Sequence, residues 1–217
     1  MGAPSQQMPE ILQKALKTAR LRHVPRGQII LYEGDTPQDV YIVKSGIVKL
    51  YDIDEQGNEK VLHIVKTPAL VPFTFFSGMR DPLRWFYETL TDCDFYIVPA
   101  KEFMELTRTD GALLAAVTNT FSNDVHELLT RLSSLGKTNA QDKVVAVLKF
   151  LVACHSTERR SSWWRVEFPI SHQLIANICG ITRESTTLVM KELQAQKIIR
   201  RPRINVLDIH KPSLITL

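Results

Sequence analysis

The segment from Ile170 to Arg201 constrains the fold of this chain more than any other, because it predicts two short helices joined by a tight turn. Ser171 is a suitable N-cap for the first helix, whose buried face would be formed by Leu174, Ile175 and Ile178. Gly180 can take the positive φ that a tight turn needs, and Thr182 can cap the following helix. The segment therefore predicts a helix-turn-helix.

The second of these helices carries side chains of the kinds that read DNA. The buried face of this helix would be formed by Leu188, Val189, Leu193 and, as a further candidate, Met190. Its first turns would then expose Arg183, Glu184, Thr186 and Thr187. Arginine can pair with guanine N7 and O6, and glutamate can accept from cytosine N4 in the major groove. The N-terminal residues of the second helix are the ones that reach base edges in this motif. The alternative is a helical hairpin inside another fold, with a merely solvated Arg-Glu pair.

The residues after the second helix weigh against that alternative. Residues 196–209 form two short β-branched runs around a basic turn that contains Pro202. This pattern predicts the wing of a winged helix-turn-helix. Its basic side chains are placed to meet phosphate, namely Arg200, Arg201 and Arg203.

The distribution of charge supports a nucleic-acid-binding C-terminal half. Residues 137–217 contain 13 Lys and Arg against 6 Asp and Glu, whereas residues 1–136 contain 14 against 17. The net charge of +4 therefore comes from the half that carries the motif. A length of 217 residues with 44% hydrophobic content is enough for two packed domains.

The cysteines and the N-terminus indicate a cytoplasmic protein. Cys93, Cys154 and Cys179 are odd in number and widely spaced, so neither a disulfide framework nor a CxxC zinc site is indicated. The first residues lack the order of a signal peptide, and no apolar run is long enough to span a bilayer. We expect a cytoplasmic location and no membrane partner.

The N-terminal half changes from a helical to a strand-like pattern near Gln28. Residues 9–23 have helical spacing, and Pro25 would end that helix. Short strand-like runs separated by turn signals then follow at residues 29–32, 40–43, 47–51, 61–65 and 95–98. Short strands with glycines at the corners predict an antiparallel barrel or a double-sheet roll.

Residues 110–136 predict one long helix with an apolar seam. The seam residues follow one another at spacings of 3, 4, 4, 3, 4 and 3, and they are Leu114, Val117, Phe121, Val125, Leu128, Leu132 and Leu135. Gly136 would end the helix. A seam of this length calls for a partner helix, although burial within one domain is the commoner fate of an apolar stripe.

The run from Arg26 to Val65 resembles the β-roll of the Crp/Fnr family. The placement of Gly27, Gly34, Gly46 and Gly57 matches that family's pattern, as does the strand before Ser45. Together with the winged helix-turn-helix, the resemblance covers nearly the whole chain. It implies an α+β protein with an N-terminal antiparallel β-roll (a cyclic-nucleotide-binding-like jelly roll) at residues 1–110. A dimerisation helix at 111–136 and the winged helix-turn-helix at 137–217 would follow.

The resemblance also implies a function. It points to a homodimeric, DNA-binding transcription regulator that reads a palindromic operator, is not an enzyme, and has double-stranded DNA, its own second copy and RNA polymerase as partners. The positions that match the family's base readers are Arg183, Glu184 and, more loosely, Thr187. The positions that match its phosphate contacts are Ser171, His172, Gln173 and Thr182. Leu188 stands where many members carry a further arginine, which affects the operator sequence.

The effector of the roll is not identified by the sequence. Residues 66–78 stand where the cyclic-AMP branch of the family carries a Gly-Glu pair, but they contain no glutamate and include two prolines, which lack an N–H donor. Arg84 does not fit that branch's pattern for the arginine that holds the cyclic phosphate. A cyclic nucleotide is therefore disfavoured as the effector. An iron–sulfur cluster is disfavoured too, because it needs four thiolates and the chain has three scattered cysteines. His63 or His126 could ligate haem, but each is more often an ordinary histidine. A pocket for a small apolar or carboxylate ligand would be lined by Phe73, Phe75, Phe86 and Thr89.

Two other function classes stay open. Small β-rolls resemble cupins, whose enzymes hold a metal with closely spaced histidines, but His63 has no such partner nearby in the sequence, so we expect no metal site. The chain could also be an effector-independent member of the family, or an interaction module that no longer binds a ligand.

Overall fold

The computed structural model describes residues 19–74, 81–157 and 162–216. Its contacts divide the chain into two compact units. Among the described residues, the first unit comprises those within 19–52 and 63–125, and the second comprises those within 53–62 and 126–216. No helix among the described residues is both long and apolar enough to cross a lipid bilayer.

Eight strands form two four-stranded antiparallel sheets, with orders β1-β8-β3-β6 and β2-β7-β4-β5. The strands are β1 (Arg20–Val24), β2 (Ile29–Leu31), β3 (Asp39–Ser45), β4 (Ile47–Ile53), β5 (Glu59–Lys66), β6 (Ala69–Val71), β7 (Phe86–Thr89) and β8 (Cys93–Pro99). The predicted antiparallel roll is confirmed.

The sequence patterns missed three of these strands. The helix predicted for residues 9–23 is wrong for Arg20–His23, which belong to β1 and pair with β8, while residues 9–18 lie outside the described residues. Strand β1 is an edge strand with four of its five residues exposed, so it lacks the apolar alternation that marks a half-buried strand. Strands β6 and β7 have only three and four residues, which is too short for a clear pattern.

The roll packs against the helices that follow it. Helix α1 (Ala100–Thr109) and the start of helix α2 (Gly111–Leu135) share a buried cluster with β3 and β8. That cluster includes Val40, Val98, Phe103, Leu113 and Val117. The Oδ1 atom of Asp110 accepts the backbone amide of Ala112 at 2.9 Å and that of Leu113 at 3.1 Å, so the start of α2 is capped.

The turn between β3 and β4 depends on a glycine. Gly46 has a φ of 96°, and a Cβ atom there would lie 2.5 Å from the carbonyl oxygen of Asp92. A side chain at this position would therefore be both strained and blocked by backbone.

The described part of the second unit contains a small sheet and the helices that pack with it. Its elements are α3 (Ala140–His155), β9 (Ser156–Thr157), β10 (Trp163–Glu167), α4 (His172–Cys179), α5 (Arg183–Ala195), β11 (Ile199–Arg200), β12 (Val206–His210) and α6 (Lys211–Thr216). The antiparallel sheet has the order β11-β12-β10-β9. Leu148, Ile175, Met190 and Leu207 lie in its buried interior. The predicted winged helix-turn-helix is confirmed.

Candidate nucleic-acid interface

The turn between α4 and α5 is built by the local signals read from the sequence. The Ser171 hydroxyl oxygen accepts the Leu174 amide at 3.0 Å, and the Thr182 hydroxyl oxygen accepts the Ser185 amide at 3.2 Å. Gly180 lies between the helices with a φ of 65°. Each helix is therefore capped at its start, as the sequence predicts.

Two residues of α5 face the opposite way from the sequence prediction. Thr186, expected to be exposed, is completely buried, and its hydroxyl donates to the Thr182 carbonyl at 3.1 Å. Leu188, expected to be buried, is 63% exposed. Thr186 lies three residues before Val189 and seven before Leu193, so helical geometry places it on their face, whereas Leu188 is rotated by about 100° from Val189. The threonine is tolerated in the core because its hydroxyl is satisfied within the helix.

The outer face of α5 presents the predicted base-reading side chains. Arg183 and Glu184 are exposed in its first turn. Thr187 is half-buried, donates its hydroxyl proton to the Arg183 carbonyl at 2.8 Å, and lies 3.0 Å from His172 Nδ1. Because a hydroxyl has one proton to donate, His172 Nδ1–H must be the donor in the second bond. Thr187 therefore joins α4 to α5 as well as lying near the exposed face.

The predicted phosphate contacts on α4 lie close to this face. Ser171 and Gln173 are exposed, His172 is half-buried, and Thr182 is exposed at the start of α5. Burial lowers the pKa of His172, and the charges of Arg201, Arg183 and Lys191 lower it further. His172 is therefore mainly neutral at pH 7, and with its proton on Nδ1 its Nε2 atom can accept but not donate a hydrogen bond.

The three arginines predicted for the wing have structural partners. Arg200 Nε lies 3.0 Å from Asp208 Oδ2, and its guanidinium lies 4.3 Å from the ring centroid of Trp163. Arg201 Nη2 donates to the Ile170 carbonyl at 2.7 Å, and Arg203 Nη2 lies 3.4 Å from Glu167. Arg200 is about half-exposed and Arg203 more so, so both keep a solvent-facing surface.

Asp208 is the centre of this network, and sequence reasoning did not single it out. It is 1% exposed and also accepts from Arg165, with Nε–Oδ1 at 2.5 Å and Nη2–Oδ2 at 2.8 Å. The hydrogen bonds from Arg165, followed by those from Arg200, hold the pKa of Asp208 below its ordinary value. The carboxylate thus links β10, β11 and β12 and orients Arg200.

Helix α2 exposes most of the predicted apolar seam. Leu114, Phe121, Val125 and Leu132 are between 37% and 63% exposed, and Leu128 is half-buried. The side chain of Leu135 lies outside the described residues. Leu129, at 60% exposure, belongs to the same stripe and was missed by the heptad spacing.

One predicted seam residue has another role. Val117 is fully buried in the cluster with Phe103 and Leu113, so it cannot contribute to an exposed seam. Helical geometry places it about 60° from the line through Leu114 and Leu132, on the flank that packs against the roll.

The described residues among those predicted to line an effector pocket have different contacts and do not share one cavity. Beside Phe73, the cavity lined also by Leu70, Val117 and Asp124 measures about 10 Å³, room for about one water molecule. Phe86 stacks on Tyr51 with ring centroids 5.2 Å apart. Thr89 is fully buried, and its hydroxyl donates to the Pro25 carbonyl at 2.7 Å. Phe75 lies outside the described residues.

The two histidines considered as haem ligands lie in different environments. His63 is 1% exposed, with Nε2 3.6 Å from Asp124 Oδ1, and His126 is exposed on α2. In the described parts of the chain, no three His, Cys, Asp or Glu side chains are grouped to hold a metal ion. Cys93, Cys154 and Cys179 are buried thiols.

Comparisons with known proteins cover both halves of the chain. The family model of the cyclic nucleotide-binding domain matches residues 21–110, and that of the Crp-like helix-turn-helix domain matches residues 143–211. The transcriptional regulator ArcR of Staphylococcus haemolyticus is 24% identical over 178 residues, covering 82% of this chain and 77% of that protein. The fumarate and nitrate reduction regulatory protein of Vibrio cholerae is 24% identical over 181 residues, covering 83% and 71%.

A solved structure has the same fold over nearly the full length. FixK2 of Bradyrhizobium japonicum superposes with a TM-score of 0.75 at 15% identity, covering 92% of this chain and 97% of that one. The two matched domains occur in the order in which the roll and the winged helix-turn-helix follow one another here. This chain belongs to the Crp/Fnr family of DNA-binding transcription regulators.

Proposed function

We propose that this regulator works as a homodimer and reads a palindromic operator by placing α5 of each copy in the major groove. The observation that carries the proposal is the exposed first turn of α5, where Arg183 and Glu184 point away from a buried face formed by Thr186, Val189, Met190 and Leu193. Arginine and glutamate are able to recognise a guanine and a cytosine, respectively, by hydrogen bonds to their major-groove edges.

The wing and α4 would fix the position of α5 on the duplex. Ser171, Gln173 and Thr182 offer polar groups near the start of each helix that can donate hydrogen bonds to phosphate oxygens. Neutral His172 would act indirectly, because its one N–H is used in the bond to Thr187 that holds α4 to α5. Arg200, Arg201 and Arg203 would supply positive charge. Arg201 is tied to the Ile170 carbonyl, directly before the cap of α4, so its contribution combines charge with the position of that helix.

The exposed stripe on α2 supports dimerisation. From Leu114 to Leu132 the stripe extends about 27 Å at about 1.5 Å per residue. An exposed apolar stripe of this length is typical of a helix that packs against a second copy. Two-fold symmetry would present two α5 helices to successive major grooves about 34 Å apart, which explains why we expect a palindrome.

A member that needs no effector is the second candidate. The cavity beside Phe73 has a volume of about 10 Å³ and Thr89 is hydrogen-bonded within the roll, so neither residue offers room for a ligand of more than one or two atoms, and both observations favour this candidate. In either case we propose RNA polymerase as the protein partner through which bound dimers change transcription.

Replacement of Arg183 tests the proposal. A pool of random duplex DNA is selected with the purified chain, and affinities of the variants are then measured on the enriched duplex and on a scrambled one. Arg183→Ala is expected to lose about 1–3 kcal/mol on the enriched duplex and little on the scrambled one.

The matched control is Arg108→Ala, which removes an exposed arginine from α1 whose Nη1 atom lies 3.6 Å from Glu105 Oε2. It should bind both duplexes like the unaltered protein. Equal losses on the two duplexes for Arg183→Ala would contradict a base-reading role for α5.

A further inference from the structure

Leu188 is an exposed leucine on a helix that buries its other large apolar side chains. It is 63% exposed, whereas Val189, Met190 and Leu193 are at most 7% exposed. Single exposed apolar residues are common, so exposure alone decides nothing. The position of this leucine on α5, the helix proposed to enter the major groove, indicates a role in DNA binding.

Leu188 shares the outer face of α5 with the proposed base readers. It lies four residues after Glu184 and three before Lys191, and all three side chains are exposed. Four residues of helix advance about 6 Å along the axis. Base pairs are stacked about 3.4 Å apart, so Leu188 would meet the duplex one or two base pairs away from the pair that Glu184 reads.

The chemistry of leucine restricts what it can recognise there. It can neither donate nor accept a hydrogen bond, so next to the amino group of cytosine or adenine it would remove water without replacing the lost hydrogen bond. The C5 methyl group of thymine is the apolar group that the major groove displays.

We propose that Leu188 is a specificity-determining residue that contacts a thymine methyl group in the operator. This inference rests on the proposed function and adds to it the identity of one base. Leu188 stands where many members of the family carry an arginine, which can pair with guanine. We therefore expect the operator of this protein to carry a thymine at the position that such an arginine would read as guanine.

A cycle of protein and base changes tests the contact. The enriched duplex is prepared with deoxyuridine in place of one thymine at a time, in symmetric pairs, which removes only the methyl group. At one position the unaltered protein is expected to lose about fourfold in affinity per methyl group, the size expected for one lost methyl contact. Leu188→Ala should lose a similar amount on the thymine duplex and nothing further on the deoxyuridine duplex, because the partner methyl has already been removed.

Two further variants sharpen the test. Leu21→Ala removes a leucine of similar exposure, 58%, from an edge strand of the roll, and should keep the full deoxyuridine effect. Leu188→Arg, selected afresh on random DNA, should exchange the thymine for guanine at the same position. Both α5 changes are at an exposed site, so circular dichroism and thermal melting should match those of the unaltered protein.

The outcomes separate the inference from the proposed function. If no sequence is enriched by the unaltered protein, the proposed function fails and this inference fails with it. If an operator is enriched but no deoxyuridine position weakens binding, or the weakening is as large in Leu188→Ala, the inference alone is overturned.

Discussion

Replacing Asp208 with asparagine should destabilise the winged helix-turn-helix strongly, because this carboxylate is buried and holds two arginines. Asp208 is 1% exposed and accepts hydrogen bonds from Arg165 at 2.5 and 2.8 Å and from Arg200 at 3.0 Å. Breaking a buried ion pair by removing one partner costs about 3–5 kcal/mol. Arg200 is half-exposed and can be resolvated, and asparagine keeps one acceptor oxygen, so we expect about 3 kcal/mol.

Urea unfolding followed by tryptophan fluorescence measures this loss. Trp163 and Trp164 both lie on β10, next to the network, and phenylalanine at position 85 in every variant removes the third tryptophan. With a slope of about 2 kcal/mol per molar urea, Asp208→Asn should lower the midpoint by about 1.5 M. Glu167→Gln changes a half-exposed carboxylate on β10, the strand that also carries Arg165, and should alter stability by less than about 1 kcal/mol.

The difference should also depend on pH with a definite sign. The pKa of Asp208 is lowered in the folded state, so the carboxylate contributes its full stabilisation above its ordinary pKa of 3.8 and loses it as the pH falls through the lower folded value. The stability gap between the unaltered protein and Asp208→Asn should be constant from pH 7 to 5 and shrink below pH 4. A gap under about 1 kcal/mol at pH 7, or one that is unchanged at pH 3, would refute this reasoning.

Two other changes test the seam and the wing. Leu132→Lys places a charge in the exposed stripe of α2, so it should give monomers in sedimentation and poor operator affinity in binding assays. The control Asn119→Lys changes an exposed residue on the other side of the helix and should stay dimeric. A dimeric Leu132→Lys protein would count against this interface. Arg201→Ala should weaken binding to all sequences alike and reduce the salt slope by about 1, and a loss confined to the operator would contradict a phosphate role.

The helix-turn-helix could be predicted because its signals are local. Ser171, Gly180 and Thr182 act within three or four residues of their own positions, through caps and a positive φ. The turns of the roll were read for the same reason. Strand β1 could not be found, since its partner β8 lies about 70 residues away and its exposed side chains leave no pattern.

The errors within the helices have a common cause. Hydrophobicity placed Leu188 in the core and Thr186 outside, but the rotation of α5 is set by what packs around it, and a threonine whose hydroxyl bonds within the helix can fill the buried site. Likewise, the apolar pattern of α2 does not say which flank faces the roll, so Val117 was assigned to the seam.

The network around Asp208 shows why the roles of the wing arginines could be predicted only in part. Arg165 and Asp208 are 43 residues apart and meet only because β10 pairs with β12. The sequence signal was the basic character of the wing, which reports charge but not the internal partners of each guanidinium.

Hydroxyl-radical footprinting on the enriched operator tests the central claim most directly, because it reports symmetry and groove position together. We expect two protected patches with centres about 10 base pairs apart, placed symmetrically about a dyad in the sequence. A single protected patch on a sequence without a dyad would contradict it.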